Sequence, residues 1–587
     1  MGKNVILGLN YTASHDSAAA IIVNDVLVAI GEEERFSRQK HDGSFPYQAI
    51  AFCLSEAGVC EEDVSYVTIG WDEKAHLFKR LSFACKTINP AEFYCRLRFI
   101  RALRRDARAG KALAAKLFPK AKIFSIEHHL AHAASCYLTS PCDESAVISW
   151  DGRGEWSTTL IGYGSGNKIQ KIKEVFYPFS LGIVYTSFTL YLGFGFYDEY
   201  KVMGLSAYGE PLYKKEIEKI LRYSEKKVVD IDMDYFQHPG FSRKVCWGSS
   251  EYYSKKFIEK FGPPRKEGEK IEKRHMDIAC SLQICLNEIA LKIAQDLYSI
   301  KRTENLCLAG GVTLNGVMDN YLLKNSGFKH IYFTPASEDA GVALGSALYC
   351  YNTLLGNKGR IKLQHPYWGS YASDDEIKKE LEAYGFKNAR ELPDPAQTAA
   401  ELLAQGNILG WYQGKSEFGQ RALGNRSILA DPRPAKNKNI VNAKIKFREE
   451  FRPFAPSVLL EHAQEYFDLP CESPYMLFIC DVLEDKRGEI QAVTHINNTA
   501  RPQTVSRQEN PLFYELVSYF YKLTGCPIVL NTSFNVKGEP IVDSPSDAIR
   551  CFYTTGLDYL IIGKYLLHKK LALDESCMKN GLLYRTA

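Results

Sequence analysis

The sequence lacks the features that mark secreted, membrane-spanning and zinc-finger proteins. None of its 16 cysteines belongs to a Cys-x-x-Cys pair; they are scattered through apolar runs, where a free thiol packs as a small hydrophobic group. No run of about 18 apolar residues occurs, so no membrane span is expected. The N-terminus has no long apolar segment of the kind found in secretion signals. Together these absences favour a reducing, cytoplasmic location.

The chain also has little net charge, with 73 Lys and Arg residues against 69 Asp and Glu residues. A net charge of +4 over 587 residues is too small for a protein that coats nucleic acid, so we expect neither a nucleic acid nor a membrane as its partner. The length exceeds what one hydrophobic core serves, which predicts two or more domains.

Polar turns between apolar strands occur twice in the first half of the chain. Residues 5–9 and 18–23 are predicted strands on either side of Ser14-His15-Asp16, and a similar pattern surrounds Asp151-Gly-Arg-Gly-Glu155. Two such units in one domain are typical of the duplicated nucleotide-binding fold of the actin and sugar-kinase type.

A glycine pair ends another predicted buried strand. Gly310 and Gly311 follow this strand, and Asn315 precedes a helical pattern. Because glycine carries no Cβ, backbone there can approach a phosphate or an adenosine closely. We therefore expect Gly310, Gly311 and Asn315 to bind a nucleotide in the first domain.

The domain boundary is predicted at a polar break over residues 351–371. We assign residues 1–358 to the first domain and residues 372–587 to a second domain, in which helices alternate with short strands, so the predicted fold class is α/β (α+β). Within the first domain, residues 96–117 form a predicted basic helix. Residues 223–273 read as a charged, aromatic-rich insertion to which the sequence assigns no role.

Three histidines within five residues indicate a metal site. On a helix, His128 and His132 lie at positions i and i+4 of one face, whereas His129 points elsewhere. Asp151 and Asp339 follow predicted strands and are the carboxylates that iron, manganese or zinc would accept beside two imidazoles. A His₂Asp₂ set leaves coordination positions open for catalysis. The alternatives are surface histidines and helix-capping aspartates.

Cations among aromatic residues predict an anion pocket in the second domain. Lys446, Arg448 and Arg452 alternate with Phe447, Phe451 and Phe454, which should wall the guanidinium groups. Further donors are expected at Arg421, Arg501, Asn531 and Ser533. The alternative is a solvated basic face, but such faces are usually poor in aromatic residues. The expected ligand is compact and doubly anionic or resembles an acyl phosphate.

Six motifs occur in an order that extends over essentially the whole chain. They are His15-Asp-Ser-Ala-Ala-Ala, Glu127-His-His-Leu-Ala-His-Ala, Asp151-Gly-Arg-Gly-Glu, Lys201-Val-Met-Gly-Leu-Ser-Ala-Tyr-Gly-Glu, Glu417-Phe-Gly-Gln-Arg-Ala-Leu-Gly-Asn-Arg-Ser and Leu530-Asn-Thr-Ser-Phe-Asn. In these motifs the chain resembles the O-carbamoyltransferase family of nodulation-factor and antibiotic-tailoring pathways.

This resemblance implies two domains with separate chemistry. The N-terminal domain would be an actin-like ATPase domain similar to the threonylcarbamoyl-transfer ATPase, and the C-terminal domain would be YrdC-like, similar to threonylcarbamoyl-adenylate synthase. Family members convert carbamoyl phosphate and ATP, with Mg(II), into carbamoyl adenylate. They then pass the carbamoyl group to an alcohol, with Fe(II) or another divalent metal in the N-terminal site.

The resemblance also implies roles for individual residues. His128, His132, Asp151 and Asp339 correspond to the metal ligands, and His15 corresponds to the general base. The carbamoyl-phosphate and adenylate contacts correspond to Arg421, Lys446, Arg501, Asn531 and Ser533, and we extend them to Arg448 and Arg452. Lys446 and Arg501 are expected to act in adenylate formation. The alternative for His15 is a turn residue bonded to its own backbone.

Other functions remain open at this stage. A tRNA threonylcarbamoyl-type transferase uses the same domain types, and an actin-like small-molecule kinase or a nucleotide-binding scaffold would share the first domain. A hydrogenase-maturation carbamoyltransferase would need the missing zinc-finger cysteines. The acceptor is expected to be a small-molecule alcohol of unassigned identity, bound near Tyr185, Tyr197 or Tyr200 unless these tyrosines only pack the core. The protein is expected to be a monomer or a homodimer.

Overall fold

The computed structural model describes residues 4–241, 245, 248–386, 389–449 and 451–569. Two compact units result: residues 1–33 and 41–363 form the first, and residues 34–40 and 364–587 form the second. Both contain helices and mixed sheets, which confirms the predicted α/β class.

The first unit contains two five-stranded sheets with the same topology. One has the strand order β3-β2-β1-β4-β5 and the other β12-β11-β6-β7-β8; in each, the first hairpin strands are antiparallel and the later strands join in parallel. This repeated order is the predicted duplicated fold of actin type. The strands are β1 (Val5–Asn10), β2 (Ala18–Val23), β3 (Val26–Glu32), β4 (Tyr66–Ile69), β5 (Lys122–Ser125), β6 (Glu144–Trp150), β7 (Ser157–Ser165), β8 (Lys168–Phe176), β9 (Leu221–Ser224), β10 (Val228–Ile231), β11 (Asn305–Ala309) and β12 (His330–Tyr332).

Helices cover these sheets and fill the connections between them. Their bounds are α1 (Glu33–Ser37), α2 (Tyr47–Ala57), α3 (Leu77–Cys85), α4 (Pro90–Leu117), α5 (His128–Tyr137), α6 (Leu181–Tyr191), α7 (Glu199–Leu205), α8 (Lys214–Ile220), α9 (Lys255–Phe261), α10 (Lys273–Ile300), α11 (Gly316–Asn325) and α12 (Ala340–Tyr349). The predicted insertion contains α9 and the hairpin of β9 and β10. No helix in the described part of the chain is long and apolar enough to cross a membrane.

Glycines allow α12 to pack unusually close to its neighbours. A Cβ on Gly345 would lie 1.8 Å from the carbonyl oxygen of Ala131 in α5, and a Cβ on Gly8 in β1 would lie 2.1 Å from the carbonyl oxygen of Ala343. Because real side chains cannot tolerate such distances, only glycine permits this packing. The start of α12 is thereby held beside α5, the helix that carries the predicted histidine ligands.

The second unit is built on an eight-stranded mixed sheet with the order β13-β22-β21-β14-β15-β20-β16-β19, and β17 pairs with β18. Its strands are β13 (Arg390–Glu391), β14 (Leu409–Tyr412), β15 (Arg426–Ala430), β16 (Ala455–Leu459), β17 (Cys480–Asp481), β18 (Thr499–Ala500), β19 (Gln503–Val505), β20 (Ile528–Ser533), β21 (Tyr559–Ile562) and β22 (Tyr565–His568). Its helices are α13 (Asp374–Ala383), α14 (Pro395–Ala404), α15 (Lys436–Val441), α16 (Ala463–Tyr466), α17 (Pro511–Thr524) and α18 (Pro545–Thr554).

Two features of the second unit were not predicted. Residues 34–40 belong to it: Arg38 donates hydrogen bonds to the carbonyl oxygens of Ile541 at 2.7 Å and Pro540 at 3.0 Å. After α15 the chain continues in a wider π-helical turn, Asn442–Lys446. Such turns reorient side chains at the end of a helix.

Candidate metal centre and anion pocket

Helix α5 places two buried imidazoles on one face. The Nε2 atoms of His128 and His132 lie 3.1 Å apart, and both side chains are fully buried. Asp151 Oδ2 lies 3.5 Å from the Nε2 atom of His128 and 3.3 Å from that of His132, while Asp339 Oδ1 lies 3.3 Å from each. The four candidate ligand atoms all lie within 4.8 Å of one another.

These separations suit a single cation. Donor atoms around a tetrahedral ion at about 2.1 Å stand roughly 3.4 Å from one another. Two imidazoles and two carboxylates also form the donor set that divalent iron, manganese or zinc accepts. The residues predicted as ligands therefore fit a divalent metal ion.

Neighbouring groups orient the ligands. The Nδ1 atom of His128 faces the carbonyl oxygen of Gly70 at 3.3 Å, which favours a bare Nε2 toward the cluster. Glu155 Oε1 accepts the backbone N–H groups of His128 at 2.9 Å and Asp72 at 2.6 Å, which fixes the start of α5. Asp151 ends β6 and accepts the N–H of Gly152 at 2.6 Å. This orienting role of Glu155 was not predicted from the sequence.

The cluster binds protons tightly in the absence of a cation. Burial by itself lowers the pKa of His128, but Asp339 and Asp151 raise it to about 10. Burial by itself raises the pKa of Asp151, yet hydrogen bonds with His128 and His132 hold it well below its usual range. A metal ion must therefore displace protons from this cluster, which makes its binding dependent on pH.

His15 lies beside the metal ligands. Its Nδ1 atom is 3.0 Å from Asp16 Oδ2 and 3.7 Å from Asp339 Oδ2. Burial lowers its pKa, but Asp339 and Asp16 together raise it to about 9. A bound cation would oppose this rise, because it would neutralise the carboxylate charge that causes it.

Two further side chains lie near His15, of which only Tyr197 was considered from the sequence. The Nδ1 atom of His41 lies 2.8 Å from Asp16 Oδ1, and the ring of Tyr197 lies 4.4 Å from His41 and 4.9 Å from His15. Asp16, His41 and Tyr197 all have positive φ angles, which tight loops rather than a sequence pattern impose. Of the three tyrosines considered for the acceptor site, Tyr197 faces His15.

The other two tyrosines have structural partners. Tyr185 is buried and donates its hydroxyl hydrogen to Gln283 at 3.0 Å, and Tyr200 donates to Asp198 at 3.1 Å. His129 likewise packs away from the cluster: it is buried, and its Nδ1 atom lies 2.9 Å from the hydroxyl of Ser149.

The glycine pair predicted to bind nucleotide has close protein neighbours. Gly310 has a φ of +89°, and a Cβ there would lie 2.2 Å from the carbonyl oxygen of Trp150. A Cβ on Gly311 would lie 3.0 Å from Asp151 Oδ1. Asn315 exchanges hydrogen bonds with Gln283 at 3.0 and 2.9 Å. The packing of β6 thus explains Gly310 without a ligand, and nucleotide binding by these residues stays a prediction.

Four arginines form a cluster in the second unit. Burial and the charges of Arg421, Arg448 and Arg452 hold the pKa of Arg501 well below its usual range. Every charged neighbour that shifts Arg501 is another arginine. Glu449 lies 3.8 Å from Arg452, and a bound anion would further offset the repulsion among the guanidinium groups, so the cluster is suited to a multiply charged anion.

The loop that carries Arg421 is folded by two charged residues of its motif. Glu417 Oε1 accepts the N–H groups of Leu423 and Asn425, both at 2.7 Å. Arg426 is fully buried, stacks 3.7 Å from the ring centroid of Tyr412 and donates to the backbone around residues 413–414. Arg421 is therefore presented by a rigid loop.

The predicted packing of phenylalanine rings against guanidinium groups is correct for Phe454 and wrong for Phe447. Arg448 lies 4.5 Å from the ring centroid of Phe454 and donates to Asn442 Oδ1 at 2.7 Å. Phe447, by contrast, is 53% exposed. Its left-handed backbone conformation, with φ of 47°, turns it outward after the π-helical turn.

Lys446, Ser533 and Asn531 are held by the protein itself. The Lys446 ammonium donates to the carbonyl oxygen of Ser533 at 2.5 Å, the hydroxyl of Ser533 at 3.1 Å and Asn535 Oδ1 at 2.6 Å. Burial, followed by Arg448, lowers the pKa of Lys446 well below its usual range. The amide nitrogen of Asn531 donates to Gln503 at 3.0 Å. These hydrogen bonds hold the three side chains in fixed positions.

Comparison with known proteins shows the family to which the chain belongs. Residues 5–348 match the family described as Carbamoyltransferase N-terminus, and residues 400–569 match Carbamoyltransferase C-terminus. The chain belongs to the carbamoyltransferase family and is a carbamoyltransferase.

Its relatives include a nodulation protein and a cephem O-carbamoyltransferase. It is 39% identical to an uncharacterized protein of Synechocystis sp., with 96% of each chain covered, and 37% identical to nodulation protein NolNO of Sinorhizobium fredii, with 98% of this chain and 82% of the relative covered. It is 32% identical to the 3'-hydroxymethylcephem-O-carbamoyltransferase of Amycolatopsis lactamdurans over 44% of this chain and 48% of that enzyme.

Solved structures show weaker similarity. Component A of the (R)-2-hydroxyglutaryl-CoA dehydratase of Acidaminococcus fermentans matches with a TM-score of 0.33 and 14% identity, covering 60% of this chain and 99% of that one. HypF of T. kodakarensis matches with a TM-score of 0.31 and 14% identity, covering 62% and 49%.

Proposed function

We propose that this chain is an ATP-dependent O-carbamoyltransferase that performs two half-reactions in separate domains. Residues 372–587 make carbamoyl adenylate, and residues 1–358 transfer its carbamoyl group to a hydroxyl of a small molecule. The arginine cluster around Arg501 carries this proposal, because carbamoyl phosphate and ATP are both multiply charged anions. The relative named as a cephem O-carbamoyltransferase supports a hydroxyl as the acceptor.

In the first half-reaction, Arg421, Arg448, Arg452 and Arg501 hold carbamoyl phosphate by its phosphoryl oxygens. Hydrolysis of carbamoyl phosphate by water releases phosphate and leaves carbamate. An oxygen atom of the carbamate then attacks the α-phosphorus of ATP. The products are carbamoyl adenylate and pyrophosphate. The protein contributes positioning and charge neutralisation, and the Lys446 anchor keeps the pocket wall fixed.

In the second half-reaction, the acceptor oxygen attacks the carbamoyl carbon and AMP leaves. His15 in its neutral form accepts the hydroxyl proton, and its Nδ1 contact with Asp16 orients the ring. A divalent cation such as Fe(II) held by His128, His132, Asp151 and Asp339 would supply Lewis-acid polarisation of the carbamoyl group.

Separate assays distinguish the two steps. Arg501→Ala should abolish ATP–pyrophosphate exchange dependent on carbamoyl phosphate, whereas Arg507→Ala, which removes an exposed arginine of the same unit, should leave it unchanged. His15→Ala should keep the exchange and reduce carbamoyl transfer by roughly 10²–10⁴-fold. Full exchange by Arg501→Ala would refute the assignment of the first step. Phosphorylation of an alcohol without carbamoyl phosphate would indicate a kinase instead.

A further inference from the structure

The chain has a small net charge, but its residues 74–116 form a strongly basic segment. Residues 74–116 contain 12 Lys and Arg residues and two Asp and Glu residues, so this segment alone has a net charge of +10, against +4 for the whole chain. The two acidic residues are already paired: Glu92 with Arg96 at 2.5 Å and Asp106 with Arg105 at 2.9 Å. Arg80 and Arg96 are buried, but Lys74, Lys79, Lys86, Lys116 and four arginines of α4 are exposed.

The basic side chains are aligned along one helix. Arg98, Arg101, Arg105 and Arg108 in α4 are exposed and lie at positions i, i+3, i+7 and i+10, which fall on one face. The opposite face of α4 is buried, including Ile100 and Ala114. The arginines thus form a stripe that the packing of α4 turns toward solvent.

Large apolar side chains are exposed along the hairpin that α3 and α4 form. Ile88, in the turn at its tip, is fully exposed, and Phe78 in the first turn of α3 is 81% exposed. Leu81 in α3 and Phe93 and Tyr94 near the start of α4 are also exposed. The tip is ordered, because Asn89 caps α4 by accepting the N–H of Ala91 at 3.0 Å. Exposure of these residues does not result from an irregular loop.

We propose that the α3–α4 hairpin docks on the surface of a membrane that contains anionic phospholipid. Exposed apolar side chains together with exposed arginines on one helical hairpin match the interfacial region of a bilayer, where apolar side chains enter the acyl boundary and arginines meet lipid phosphates. This proposal replaces the expectation of no membrane partner. It is independent of the proposed function.

Other partners fit the surface less well. Nucleic acid would attract the arginine stripe but would leave Phe78, Leu81 and Ile88 in water. A second copy of the chain would bring two basic surfaces together, and their repulsion would oppose a symmetric dimer at this face. A bilayer accommodates both the positive charge and the exposed apolar side chains.

Vesicle binding by the full-length protein tests the proposal. Wild type should float with vesicles of phosphatidylcholine and phosphatidylglycerol at low and near-physiological salt, and should not float with phosphatidylcholine alone. Arg98→Glu/Arg101→Glu/Arg105→Glu should weaken this partitioning by at least about 100-fold. Phe78→Ser/Ile88→Ser should weaken it by roughly 10-fold or more.

Matched controls alter exposed residues elsewhere. Lys378→Glu/Lys379→Glu on α13 and Leu212→Ser/Leu523→Ser should bind vesicles like wild type. Circular dichroism and thermal unfolding establish that each variant is folded. Failure of wild type to bind anionic vesicles, or equal losses in the control variants, would overturn the proposal. So would displacement of the protein from vesicles by RNA or DNA while Phe78→Ser/Ile88→Ser still binds normally.

Discussion

Asp339 faces two groups at once: its Oδ1 atom lies 3.3 Å from the Nε2 atom of His132, and its Oδ2 atom lies 3.7 Å from the Nδ1 atom of His15. One carboxylate therefore joins the candidate metal cluster to the candidate base. Its position depends on the start of α12, which close packing against α5 fixes.

Substitution of Asp339 should remove a ligand without removing volume. Asp339→Asn should lower the content of bound divalent metal, measured by elemental analysis, by about 10-fold or more at limiting metal. Glu338→Gln is the matched control. Burial raises the pKa of the neighbouring Glu338 carboxyl well above its usual range, so a neutral amide is a close substitute there. Equal metal content in both variants would contradict the role of Asp339.

The three neighbouring histidines should behave differently. His128→Ala should lose bound metal, because it removes one of the four clustered donor atoms. His129→Ala should retain the metal, since that ring is directed to Ser149 and not to the cluster. Metal content is to be measured in folded protein of both variants. Loss in the His129 variant alone would exclude the proposed ligand set.

The contact of α12 with α5 gives a prediction about stability. Gly345→Ala should lower the free energy of unfolding by about 1–3 kcal/mol and weaken metal binding, because the new methyl group collides with the Ala131 carbonyl. Gly204→Ala in α7 is the matched control. A Cβ there meets nothing within 4 Å, so helix propensity should stabilise the protein by up to about 1 kcal/mol. Urea denaturation measures both, and an unaffected Gly345 variant would contradict the packing.

A buried histidine should make stability dependent on pH. Burial lowers the pKa of His238 to about 3, so between roughly pH 6.5 and pH 3 the unfolded chain binds a proton that the folded protein does not. Stability should therefore fall as the pH decreases through this range, by up to about 1.4 kcal/mol per pH unit from this group.

His238→Phe tests this dependence. The ring lies among Tyr177, Phe236 and Tyr252, so phenylalanine should fit, at the loss of one contact with Ser187. Denaturation midpoints of His238→Phe should depend less steeply on pH than those of wild type below about pH 6. The exposed-site variant His330→Phe should retain the wild-type slope. Identical slopes in all three proteins would contradict the buried neutral state.

Local patterns in the sequence were sufficient for much of the site. The i, i+4 spacing of His128 and His132 fixes their common helix face, and the apolar run before Asp151 predicts the strand that it follows. Asp339 lies instead immediately before α12, seven residues after β12. The cations around residue 448 were also recognisable from their aromatic neighbours. In each case, short-range backbone geometry determines where the side chain points.

Long-range packing accounts for what the sequence did not reveal. His41 and Tyr197 come to His15 through loops with positive φ angles, which no periodic pattern encodes. Phe447 turns outward because of a π-helical turn that the helical spacing did not indicate. The oxygen atoms that accept hydrogen bonds from the Lys446 ammonium belong to Ser533 and Asn535, nearly 90 positions away.

The early segment 34–40 has a consequence for synthesis and for dissection of the gene. Arg38 donates a hydrogen bond to the carbonyl oxygen of Ile541, which lies 503 residues later in the chain. The ribosome therefore synthesises residues 34–40 of the second unit long before the rest of that unit. A fragment that begins at residue 364 would lack this piece. Adding a synthetic peptide of residues 34–40 to that fragment is therefore the natural way to complete it in trans.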